Sequence, residues 1–276
     1  MSASSLVAER NGLTLGLILH RARVVTYYGL SGLLTLFLSF ELFAHLLLPT
    51  PVLTDWASGH HVHALFHFVL TAVLVGAVGS GLHPRTRRIA GLQGLLMVPA
   101  LGLLVSIIAW QGLHSFTFPV FNFALYGSIA VVLAVLHPDR GRLLTAGAFD
   151  PELATMAVLA LVPLLAYATG QVVQQLSNAQ PVHAVPGHFA LSGALAVGLA
   201  GLACLAALRT EGWRLPLWSS GLAVLALGIG SAALPSEASS FGLVGGLAAI
   251  AWGAAFIWLG NRSRSVREHL PWSSGS

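Results

Sequence analysis

Eight stretches of roughly 20 apolar residues, each closed by charges, prolines or Gly/Ser clusters, govern what this chain can become. A helix of that length spans a hydrocarbon core of about 30 Å. Within such a core only helices and closed barrels satisfy their own backbone groups. The stretches cover residues 24–48, 60–82, 88–111, 116–136, 153–176, 187–208, 217–234 and 241–259. Charged residues make up 8% of the chain and hydrophobic ones 56%, a charged share about a third of that in a soluble domain. An all-α, polytopic integral membrane protein with about eight transmembrane helices is expected. Residues 13–20 are expected to lie along the interface, and no basic-apolar-cleavage pattern marks a removed signal peptide.

The arginines give this architecture a direction. Arg10, Arg21 and Arg23 precede the first span, Arg85, Arg87 and Arg88 separate the second from the third, and Arg140 and Arg142 separate the fourth from the fifth. Arg209 and Arg214 lie between the sixth and seventh, and Arg262, Arg264 and Arg267 follow the last. With eight spans every arginine falls on one side, whereas seven or nine would scatter them. Because positive charge accumulates on cytoplasmic loops, both termini are expected to be cytoplasmic and the protein multi-pass in a plasma or inner membrane. The sequence pI of about 10 then reflects juxtamembrane anchors that contact the lipid bilayer, not a nucleic-acid surface.

An internal duplication is also visible. His67-Phe68-Val69-Leu70-Thr71-Ala72 resembles His188-Phe189-Ala190-Leu191-Ser192-Gly193, and the same offset carries Arg88 onto Arg209. Four spans per half give parallel repeats related by an axis along the membrane normal. The expected divisions are a cytoplasmic N-terminal segment 1–23, a first repeat 24–136, a linker 137–152, a second repeat 153–259 and a cytoplasmic tail 260–276.

Composition excludes several chemistries. There is no lysine, so Schiff-base mechanisms are impossible, and the single cysteine, Cys204, can form neither an internal disulfide nor a thiolate cluster. No phosphate-binding glycine loop, dinucleotide fingerprint or nucleophile elbow is present. What the chain does have is 12 histidines. His20, His83, His137 and His269 accompany the arginines, where a solvated loop role is expected. His45, His60, His61, His63, His67, His114, His183 and His188 all map to the opposite side. Ionisable groups at membrane depth are costly and mark function.

On a helix His60, His63 and His67 share one stripe, and His63 and His67, at i and i+4, have the spacing of a metal-binding pair. Ala64 stands where a zinc protease helix has its glutamate, which disfavours proteolysis. Glu41, the one carboxylate inside a span, lies four residues before His45 and is the candidate catalytic group, as a proton acceptor or as the partner of a ligating imidazole. The repeat pairs His67 with His188, the arrangement that bis-histidine haem ligation needs, with Gly76, Ala77, Gly79, Ala194, Ala196 and Gly198 as candidate slot residues. His61 or His63 with His183 forms a further candidate pair nearer the surface, although Pro186 and Gly187 break the helix, so that His183 and His188 need not share a face. Gln171, Gln174 and Gln175 end the fifth span as a candidate polar entrance.

Three functional classes follow. The first is a redox subunit binding haem b, or another tetrapyrrole, that exchanges electrons with a quinone or a periplasmic carrier and works with other subunits of a membrane complex. The second is a copper, zinc or iron site built from His45, His60, His63, His67 and His114 with Glu41, serving metal handling or oxidative chemistry. The third is a proton-coupled transporter using Glu41. The orientation underlying all three is directly testable. A reporter active only outside the cytoplasm should be silent when fused after Arg142 or Arg214 and active after Glu237; the reverse pattern overturns it.

Overall fold

The computed structural model describes residues 3–47, 61–83, 89–110, 118–178 and 180–268, and these are helical with no strand among them. The helices are α1 (Ala3–Leu47), α2 (His61–Ser80), α3 (Ile89–Ile108), α4 (Phe118–Leu136), α5 (Pro151–Ser177), the single-turn α6 (Pro181–Ala184), α7 (His188–Ala207), α8 (Arg214–Ala233) and α9 (Gly242–Glu268). Among the described residues eight of them, all but α6, are long and apolar enough to cross a membrane. Their ends fall close to the sequence-derived limits, with two exceptions: α9 runs to Glu268, nine residues past the expected limit and into the segment expected as a tail, and α1 starts far earlier than expected. Residues 13–20 are not a separate interfacial segment but part of α1, which continues without a break from Ala3. No proline interrupts it, and its glycines stand singly. Its length of about 68 Å is about twice the thickness of a hydrocarbon core.

The packing order separates central helices from peripheral ones. α1, α2, α3 and α4 close into a ring, with α1 touching both α2 and α4; α5, α7, α8 and α9 close in the same order. The two rings join where α2 packs on α8 and α3 on α7. α2, α3, α7 and α8 are therefore central and the other four peripheral. Along α7, 83% of the membrane-length window is buried, against 17% along α1 and α9. α7 is apolar all round, as a helix without a solvent-facing or lipid-facing side can be. The peripheral helices instead expose Phe37, Val132, Val162 and Val244, an apolar surface suited to hydrocarbon.

Small residues let the second ring close tightly. A Cβ on Gly228 would lie 2.7 Å from the Gly246 carbonyl, and one on Gly253 would lie 2.6 Å from that of Gly221. The α8 and α9 backbones touch directly there, the usual way apolar helices associate in lipid.

The arginine-bearing ends form one polar layer. Asp150 caps α5 by accepting from the Glu152 and Leu153 amides at 3.0 and 3.1 Å, and it pairs with Arg209, whose guanidinium lies over Trp213. Arg142 meets Glu211 at 2.8 Å, and the Glu211 carbonyl accepts from the Ala90 amide. His137, expected to be a solvated loop residue, is instead buried: its Nδ1 accepts from the Asp139 amide at 3.0 Å and its ring meets Tyr27 edge-on. It sits just past the last turn of α4, where a side chain can satisfy the backbone as the chain turns.

The α8–α9 contact yields a stability test. Gly253→Val should lower the thermal midpoint in detergent, costing roughly 1–3 kcal/mol, because backbone and not a flexible side chain blocks the new atoms. Gly170→Ala, where nothing lies within 4 Å, should leave the midpoint unchanged or raise it.

Candidate metal centre

The opposite ends of the helices carry the imidazoles. α2 opens with His61, and its first-turn amides have no partner within the helix. Residues 234–241, joining α8 to α9 in the other ring, supply one. The Glu237 carboxylate accepts from the Val62 amide at 3.1 Å and pairs with Nδ1 of His61. Two residues further on, the Ser239 hydroxyl lies 2.9 Å from Nε2 of His63 and donates to Oε1 of Gln171 at 2.6 Å. The Tyr167 hydroxyl donates to the Ser239 carbonyl at 2.7 Å. All of Ser239, His63 and Gln171 are buried. Phe66, Tyr167 and Phe241 wall this junction, with Tyr167 edge-on to Phe241 at 4.8 Å.

The other two imidazoles come from the connection between α5 and α7. Pro181 starts the single turn of α6, Pro186 ends the helical path, and Gly187 reverses it in the left-handed region, with φ of 82°. A side chain at Gly187 would also strike the Pro119 ring, since its Cβ would lie 2.7 Å away. The buried amide of Gln175 clasps both sides of this break. Its Nε2 donates to the Ala184 carbonyl at 2.6 Å and its Oε1 accepts from the Ala190 amide at 3.3 Å.

These two supports bring three histidines together. The His63 ring stacks on His183 with centroids 4.7 Å apart and lies 4.8 Å from His188; His183 and His188 are 6.1 Å apart. One ligand atom from each of His63, His183 and His188 falls within 4.8 Å of the others. A tetrahedral ion with 2.0–2.1 Å bonds holds its ligands about 3.4 Å apart. The trio is spaced more widely than that, so holding an ion requires its rings to reorient. His63 and His183 are buried and His188 partly so, which removes water as a competing partner.

The residues expected from sequence are sorted as follows. His63, His183 and His188 converge, and the break at Pro186 and Gly187 brings His183 and His188 to one site instead of separating them. His63 is grouped with His183 and His188 of the other ring, and His67, one turn along α2, is not among the three. His67 lies edge-on to His188, with centroids 6.3 Å apart. Glu41 stays outside the trio; it lies on α1 within electrostatic reach of Tyr126 on α4. His60, His114 and the side chain of His45 lie outside the described residues. The small residues following the repeated histidines do not face one another across a slot. Cβ atoms on Gly76, Gly79 and Gly198 would meet Leu215, Thr35 and Val98, each on a different helix.

Sequence reading missed Glu237, Ser239 and Tyr167. Glu237 did carry a signal, as an acid in a connection on the histidine side where two histidines needed partners. Comparison with protein-family models, with curated proteins and with solved structures finds no match to this chain.

Gln175 should be the structural keystone of the α5–α7 break. Gln175→Leu leaves the buried Ala190 amide without its partner, about 1–3 kcal/mol, and takes from the Ala184 carbonyl one of its two donors, the Gly187 amide being the other; it should speed amide hydrogen exchange at Ala190 while exchange at the far end of α7 stays slow.

Proposed function

We propose that this is an integral membrane metal-ion protein whose ligands are His63, His183 and His188. The observation that carries the reading is the convergence of three imidazoles, two of them buried, from two different helical rings. Neutral imidazoles suit copper, zinc and iron, and no thiolate competes in a chain with one cysteine placed on α7. Three protein ligands leave a position open, the arrangement of sites that exchange or transform what they bind. The Irving–Williams order makes copper(II) the tightest divalent ion for such a set.

The similar closure of the two rings, α1–α2–α3–α4 and α5–α7–α8–α9, supports a parallel duplication, with the site assembled where the halves meet. With the arginine layer on the cytoplasmic side, the imidazoles lie toward the outer face, and the protein handles its ion there. His67 and His188 support a second reading, haem b held between their rings, with electron exchange to a quinone or a periplasmic carrier. The third ring stacked against His63 and the separate neighbours of the glycines weigh against a broad flat macrocycle and favour a single ion.

Protein purified in detergent and equilibrated with copper(II) or zinc should retain about one ion per chain after desalting, measured by elemental analysis. His183→Ala and His188→Ala should reduce this to background, while Glu41→Gln leaves it intact. A protein that retains no ion, or one indifferent to these changes, overturns the reading. A Soret band lost in His67→Ala establishes the haem reading in its place.

A further inference from the structure

We infer that Ser239 and Gln171 fix the tautomer of His63, so that Nδ1 is the atom it offers to a metal ion. This rests on the three-histidine reading of the site and adds the bonding atom and the residues that select it. A hydroxyl has one proton to give. That of Ser239 is directed to Oε1 of Gln171 at 2.6 Å, so the contact between Ser239 Oγ and His63 Nε2 at 2.9 Å needs the imidazole to donate. With Nε2 protonated, the lone pair of the neutral ring lies on Nδ1. Metal-bound histidines are held in this manner, one nitrogen on the ion and the other donating to a fixed acceptor.

The backbone of Ser239 supplies an independent reason to regard the residue as placed for its side chain. Its φ of 63° lies in the left-handed region, which residues other than glycine rarely adopt. Three interactions hold it there: Tyr167 donating to its carbonyl, the bond to Gln171, and His63. Glycine would take this conformation without strain but has no hydroxyl to read the ring. Strain retained at a buried polar junction is characteristic of positioned functional groups.

Ser239 and Gln171 are thus positioning residues. The first test is the proton position itself, read by nitrogen-15 correlation spectra of histidine-labelled protein in the metal-free state, with His63→Gln assigning the resonance. The His63 proton is expected on Nε2; a proton on Nδ1 overturns the inference whatever the metal content. The second test compares Ser239→Ala and Ser239→Gly by zinc competition titration. Both remove the hydroxyl, but only glycine relaxes the backbone. Both should weaken zinc binding by the same factor, about tenfold to hundredfold, with Gln171→Glu, which keeps the acceptor, retaining it. Affinity unchanged in Ser239→Ala, or lost in Ser239→Ala and restored in Ser239→Gly, overturns the inference. Wild-type protein that binds no zinc removes the site reading, and with it the claim that Nδ1 is a ligand, while the tautomer is read separately.

Discussion

In a hydrocarbon interior a polar atom must find its partner within the protein, and at the histidine-bearing end of this bundle that requirement organises everything around it. The first turn of α2 presents amides and imidazoles that its own helix cannot satisfy. The connection between α8 and α9 answers with Glu237 and Ser239. The break between α5 and α7 frees a carbonyl and an amide, and Gln175 answers both. Because Glu237 and Ser239 come from a distant part of the chain, they tie the two rings together through the polar groups of a small junction as well as by apolar packing, while Gln175 secures the break within its own ring. The three imidazoles converge as a result of these ties.

Much of the architecture was legible in the sequence because membrane spans obey a length rule and arginines obey a side rule. The limits of α2, α4 and α7 differ from the sequence-derived ones by only a few residues. α1 and α9 are the exceptions for a physical reason: a helix can continue past an apolar stretch when nothing stops it, and hydropathy records only where the apolar stretch ends. The site was legible in part. Histidine sidedness, and the candidacy of His63, His183 and His188, follow from position along the chain. Their grouping does not, since it depends on the path of a turn and on side chains far away in sequence. His63 and His67 have ideal spacing for a shared ion, yet tertiary contacts draw His63 to the other ring. Periodicity describes one helix; a site between helices is set by their contacts.

The glycines illustrate the same division. Those of α8 and α9 let two backbones touch, and those following the repeated histidines let unrelated neighbours approach from different sides. The sequence shows them as equivalent small residues, and only the neighbours distinguish a close helix pair from a slot for a ligand. Burial follows suit, with α7 enclosed on all sides and carrying one of the three imidazoles at its first residue.

Gly187 has a mechanical consequence. It is the pivot between His183 and His188, and the ring of Pro119, from the first residues of α4 in the other ring, occupies the space where a Cβ would stand. The distance between these two imidazoles is therefore set by a five-residue arc of main chain braced from outside, and not by rotamers on a single rod. A displacement at the start of α4 bears on that arc before it reaches any side chain. The spacing of the pair is thus coupled to how the two rings seat against each other, and a rigid-body shift of one ring reaches His183 and His188 through this proline as well as through His63 of α2, which stacks on His183.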